Sequence, residues 1–124
     1  MENKKILIIE DDANLRGVLK EFFEEEKMIV KTASDGESGL IKLREFLPDV
    51  VLLDIILPKK DGYEIIKEIK SDEKIKDIPV ILLTNLGGLN DIEKALALGA
   101  TTYLVKGDYQ VKEIVEKVKE VLEV

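Results

Sequence analysis

The sequence predicts an α/β fold, a (βα)5 doubly wound parallel sheet, and three observations carry that reading. Short apolar runs alternate with helix-patterned segments from one end of the chain to the other. Three of the runs, Ile6 to Ile9, Val50 to Leu53 and Val80 to Leu83, have no polar interruption, as expected of strands covered by helices on both faces. Right-handed crossovers then restrict the topology, and the predicted strand order is 2-1-3-4-5.

The first strand is read at about Lys4 to Glu10. The helix after it places Leu15, Val18, Leu19, Phe22 and Phe23 on one face at helical spacing, with Asp12 as its cap. The second strand, about Met28 to Ala33, carries Lys31 and Thr32 and suits a sheet edge. Ser34-Asp35-Gly36-Glu37 reads as a capping box for a helix that Pro48 stops after about Phe46. The third strand is Asp49 to Asp54, followed by a loop with Pro58 and a second capping box at Asp61-Gly62-Tyr63-Glu64. That box opens a helix to about Lys70. The fourth strand is Val80 to Thr84, and Gly87-Gly88 marks a pliable loop. Asn90 and Glu93 are read as caps of the next helix, which Gly99 ends. The fifth strand is about Thr101 to Val105. The last helix, capped by Asp108, has Val111, Ile114, Val115, Val118 and Leu122 on its apolar face.

With 124 residues, 45% hydrophobic and 36% charged, the chain reads as one globular domain, 1–124, able to bury a core without staples. No linker or output domain is expected within it. No apolar run has the length of a membrane span, and Met1 to Lys5 lead into a strand without a small-residue cleavage site. A cytoplasmic location is therefore expected, with no membrane partner. The net charge of −7 argues against nucleic acid, where affinity comes mainly from Lys and Arg. The absence of Cys removes thiolate chemistry. The absence of His removes Ser-His-Asp catalysis and His-ligated metals.

The strand ends carry the chemistry. In an open parallel sheet the carboxyl ends of the strands line the ligand crevice. Here they present Glu10-Asp11-Asp12, Asp54, Thr84 and Lys106. Asp54 follows four apolar residues and reads either as a loop Asp acting as a cap or as a nucleophile forming an aspartyl phosphate. Glu10 and Asp11 could be helix first-turn acids, but carboxylates crowded beside Asp54 repel one another. A hard divalent cation relieves that conflict. The expectation is a Mg²⁺ site on Asp11 and Asp54, with Glu10 holding a metal-bound water and a backbone carbonyl just after Asp54 completing it. A phosphoryl group spreads charge over three oxygens; Mg²⁺, the Thr84 hydroxyl and the Lys106 ammonium supply one partner each. Taken singly, Thr84 is a good strand residue and Lys106 a solvated strand end.

The segments ILIIEDD (Ile6 to Asp12), DVVLLDIILPKKDG (Asp49 to Gly62), PVILLT (Pro79 to Thr84) and GATTYLVK (Gly99 to Lys106) resemble the receiver domain of two-component response regulators, over essentially the whole chain. The resemblance implies the flavodoxin-like (CheY-like) fold and a phosphoacceptor, which is expected to stand alone with no output domain attached because the last helix runs almost to Val124. It also implies phosphorylation of Asp54 by a sensor histidine kinase or histidine phosphotransfer protein, a Mg²⁺ requirement that Mn²⁺ can meet, and a downstream protein target. It adds the Ile56 carbonyl to the metal ligands. It assigns a switch in which Thr84 moves toward the phosphoryl group and Tyr103 turns inward, changing the face of helix 4, strand 5 and helix 5. Tyr103 has the alternative of a sheet aromatic with its hydroxyl at the surface. Asn14, Val18 and Glu21 of helix 1 are candidates for the kinase contact.

The chain departs from the family where Gly107 stands in place of Pro after Lys106, and where Asn85 replaces a small residue next to Thr84. Ile56 and Leu86 stand at the two positions that, by the resemblance, flank the path of attacking water; both are apolar, and a long-lived aspartyl phosphate is expected. A phosphatase with an Asp nucleophile would want a second Asp at position 56. A flavodoxin-like cofactor carrier would need a phosphate cradle where Glu10-Asp11-Asp12 stand. A constitutive interaction module is the remaining alternative.

Overall fold

A computed structural model of the chain describes residues 3–55, 57–84, 89–106 and 110–123. Strands β1 (Lys5–Ile9), β2 (Ile29–Ala33), β3 (Val50–Leu53), β4 (Val80–Thr84) and β5 (Thr102–Val105) alternate with helices α1 (Ala13–Glu25), α2 (Gly36–Phe46), α3 (Gly62–Lys70), α4 (Leu89–Ala97) and α5 (Val111–Glu123). The strands form one parallel sheet in the order β2-β1-β3-β4-β5, as the sequence predicts.

Period-two alternation divides the core. Ile6 and Ile8 of β1 and Val50 and Leu52 of β3 pack with Leu19 and Phe23 of α1 and Ile114, Val115 and Val118 of α5. Their neighbours Leu7, Ile9, Val51 and Leu53 face the other way, onto Leu40 and Leu43 of α2 and Ile65, Ile66 and Ile69 of α3. Both faces of β1 and β3 are therefore buried, which is why those runs have no polar member. β2 lies at the edge and is half exposed. The Lys42 ammonium donates to the outward carbonyl of Thr32 at 2.5 Å, placing a cation on the open edge.

Helix starts follow local chemistry with two shifts. Asp12 caps α1, its carboxylate accepting from the N–H groups of Asn14 and Leu15 at 2.9 and 3.2 Å. The α2 cap is Asp35 and not Ser34, because Asp35 accepts from Ser38 N–H at 2.8 Å, which puts Ser38 in the third helical position expected for Glu37. Asp61 caps α3 as expected. Asn90 falls inside the first turn of α4, so it cannot precede that helix as a cap. Asp108 lies outside the described residues; α5 is preceded by Gln110, whose N–H donates to the Glu113 carboxylate, the returning arm of a capping box. α2 ends at Leu47 in a left-handed conformation with φ of 50°, immediately before Pro48.

Candidate functional site

Register brings the predicted acids together. Ile9 is paired with Leu53, so the next residues, Glu10 and Asp54, emerge side by side from the middle of the sheet. Their backbones are held there: Glu10 N–H donates to the Ala33 carbonyl and Asp54 N–H to the Ile9 carbonyl, both at 3.0 Å. Glu10 is 2% and Asp54 5% exposed, the only buried polar or charged side chains among the described residues. Asp11 is exposed. One carboxylate oxygen from each of Glu10, Asp11 and Asp54 lies within 4.8 Å of the others.

Lys106 follows the last residue of β5 and reaches across β4 into this cluster. Its Nζ donates to Asp54 Oδ2 at 2.9 Å and Glu10 Oε1 at 3.0 Å, and lies 2.8 Å from Glu10 Oε2. Burial by itself would lower the pKa of this ammonium. The hydrogen bonds to Glu10 and Asp54, with the charges of both, outweigh it, and the pKa is raised. Glu10 is also raised, mainly by burial and further by the charge of Asp54. Lys106 and a 3.1 Å hydrogen bond from Asp12 N–H pull the other way. The lysine predicted to meet a phosphoryl oxygen thus neutralises two buried carboxylates here.

The donor set fits a hard divalent cation. All the donors are oxygens, as Mg²⁺ prefers. Glu10 Oε2 is fully buried and accepts no hydrogen bond of good geometry despite the nearby ammonium. The cluster has three carboxylates for one lysine, an excess of negative charge that a cation would offset.

Arg16 was not singled out in the sequence. Its Nη1 donates to the Glu10 carbonyl at 2.8 Å and the Asp11 carbonyl at 3.3 Å, holding the backbone of the acidic pair from the first turns of α1. Its spacing from Asp11 carries no pattern of its own, and only the return of α1 over the strand end reveals it. Outer partners of ligating residues are commonly worth 10- to 100-fold in metal affinity. Arg16→Gln is therefore expected to weaken Mg²⁺ binding about tenfold, measured by calorimetry; an unchanged affinity would show that Asp12 capping alone fixes the pair.

Thr84 ends β4, where it is paired with Val105. Its side chain lies outside the described residues, as do Ile56, Asn85, Leu86 and Gly107 with all that was expected of them. Tyr103 is 38% exposed on β5, outward in this structure. Asn14, Val18 and Glu21 are exposed on α1.

A 2-1-3-4-5 parallel sheet carrying this carboxylate and lysine cluster at its carboxyl edge defines the receiver class of signalling domain. The family model described as the response regulator receiver domain matches residues 6–119, and the chain belongs to that family. It is 41% identical over 119 residues to the "Probable transcriptional regulator ycf27" of Guillardia theta, covering 96% of this chain and 45% of that protein. It is 35% identical over 118 residues to the "DNA-binding dual master transcriptional regulator RpaA" of Synechocystis sp., covering 95% and 48%. Among solved structures, the chemotaxis response regulator CheY4 of Vibrio cholerae superposes with a TM-score of 0.90 at 25% identity, covering 96% of this chain and 98% of that one. The chain spans about half the length of the curated relatives it matches. Their names do not support the expected absence of nucleic acid. No helix among the described residues is long and apolar enough to cross a membrane.

Proposed function

We propose that the chain is a phosphoacceptor switch, in which Asp54 takes a phosphoryl group from a phosphohistidine on a sensor kinase or histidine phosphotransfer protein. The observation that carries this is the setting of Asp54, 5% exposed at the end of a central strand and bonded to Lys106 Nζ at 2.9 Å. In the transfer an Asp54 oxygen forms a bond to phosphorus as the P–N bond of the phosphohistidine breaks. The imidazole keeps that electron pair and takes a proton from water. Glu10, Asp11 and Asp54, with the Ile56 carbonyl, would hold Mg²⁺ or Mn²⁺, which when bound supplies positive charge for the phosphoryl oxygens. Lys106 keeps its proton, since both carboxylates favour the charged form, and it offers that charge to the transferred group. The Thr84 hydroxyl takes another oxygen, and Tyr103 turns inward as Thr84 shifts, which alters the face of α4, β5 and α5 for a downstream partner.

The names of the relatives support transcription as the process controlled, whether the DNA-contacting part belongs to the same polypeptide or to another. The site's chemistry is confined to its own phosphorylation and dephosphorylation, within the cytoplasm. Ile56 and Leu86 carry no polar group with which to guide attacking water. Replacing them together by Asn and Glu is expected to shorten the aspartyl-phosphate lifetime, followed by loss of the adduct after donor removal; an unchanged lifetime would show that they do not govern access.

Intact-protein mass after incubation with acetyl phosphate tests the main reading. One added phosphoryl group that requires Mg²⁺ and disappears in Asp54→Asn is the expected result. No adduct, with Mg²⁺ binding shown separately, would favour a constitutive interaction module.

A further inference from the structure

The segment between Asp54 and α3 is gripped from two sides by glycines that open two different helices. Gly36 and Gly62 are each the first residue of a helix, each is buried, and each follows an aspartate that caps its helix. Asp35 accepts from Ser38 N–H at 2.8 Å and Asp61 from Glu64 N–H at 3.1 Å. On the α3 side, Gly62 N–H donates to the Ile55 carbonyl at 2.7 Å. A methyl group added at Gly62 would lie 2.5 Å from Ile55 Cα and 3.0 Å from the Asp54 carbonyl oxygen. On the α2 side, a methyl group at Gly36 would lie 1.8 Å from the Lys60 carbonyl oxygen and 2.8 Å from its carbon. Gly36 N–H reaches the Pro58 carbonyl at 3.4 Å, and that carbonyl also accepts from Lys60 N–H at 2.8 Å.

From these contacts we infer that Gly36, in α2 and remote in sequence from every acid of the site, is a positioning residue for the phosphoacceptor loop. The inference rests on the phosphoacceptor reading above. The methyl would also come within 2.9 Å of Ile65 Cδ1, but its closest contacts are with the Lys60 backbone, which no rotamer change can move aside. Its backbone does not occupy the left-handed region, so Ala could adopt its conformation, and contact alone excludes the methyl. Displacing Lys60 moves Asp61 and Gly62, and Gly62 is in backbone contact with Ile55 and Asp54. The first turn of α2 thereby sets where the strand end carrying Asp54 lies relative to Glu10 and Asp11. At Gly39, one turn further along α2, the three nearest atoms to an added methyl all belong to the Ile9 side chain.

The test compares Gly36→Ala with a variant carrying one glycine inserted between Lys59 and Lys60. The insertion slackens the same contact from the loop side and leaves α2 intact. Gly17→Ala is the control, because a methyl there meets nothing within 4 Å. Mg²⁺ affinity by calorimetry and the rate of phosphoryl uptake at saturating Mg²⁺ are measured where circular dichroism shows each protein folded. Gly36→Ala and the insertion are each expected to weaken Mg²⁺ about tenfold or more and to slow uptake, while Gly17→Ala matches the parent. Parental affinity and rate in either variant, however much its melting temperature falls, would overturn the inference and leave Gly36 a packing residue. If Gly36→Ala does not fold, the insertion decides alone. Failure of the parent itself to take up phosphoryl would instead overturn the phosphoacceptor reading.

Discussion

Replacing Lys106 by Met is expected to cost about 3–5 kcal/mol of folding stability at pH 7, the range seen when one partner of a buried ion pair is removed. The side chain is only 15% exposed and bridges the buried carboxylates of Glu10 and Asp54. Met retains the packing of the aliphatic stem and removes the charge, so two buried acids lose their common cation. The pH dependence identifies the cause. The folded-state pKa of Glu10 is already raised, chiefly by burial, and losing Lys106 raises it further. A carboxylate raised in the folded state binds more protons there than in the unfolded chain. Stability therefore falls as pH rises from the unfolded value of 4.5 toward the folded one. Urea unfolding should show Lys106→Met recovering part of its loss at pH 5. In the parent, the raised pKa of Lys106 contributes stability that is complete below 10.5 and is lost as pH rises through the folded value. Equal losses at pH 5 and 7 would point to packing as the cause.

Magnesium is expected to raise stability by about 2.7 kcal/mol at a hundredfold excess over its dissociation constant, provided that it binds the folded state alone. For a chain of this length that is on the order of 10 °C in melting temperature. The effect originates in the three carboxylate oxygens within 4.8 Å and the buried Glu10 Oε2 that lacks a well-formed hydrogen bond. NaCl at matched ionic strength should give little of it, since screening acts weakly on buried charges. Asp11→Asn should reduce the shift, because Asp11 belongs to the cluster and is its most exposed member. A shift reproduced by NaCl, or retained in full by Asp11→Asn, would show that the acids do not form the cation site. Acidification should abolish it, as protonated carboxylates no longer serve as ligands.

Elements with strong local signals were legible in the sequence. The uninterrupted runs of β1, β3 and β4 could be read because both faces of each are buried, and the polar β2 because it lies on the edge. Glu10 and Asp54 were readable because each directly follows an apolar strand, and Asp11 because it adjoins Glu10. Caps were legible only to within a residue or two. Ser34 and Asp35 are both good capping residues, and the choice between them depends on where the helix docks. Arg16 and Gly36 were not legible in their roles. A guanidinium over two carbonyls and a missing Cβ against a carbonyl leave no periodic trace.

Alternation, composition and strand-end residues by themselves determined the α/β class, the strand order and the family, because those signals are local and repeated. Tertiary structure decided that Lys106 sits between Glu10 and Asp54, 96 and 52 residues away in sequence. It also decided that the start of α2 braces the loop after Asp54. Such contacts depend on how helices seat on the sheet to within about an ångström, a distance set by close packing of the whole core and by no short segment of the chain.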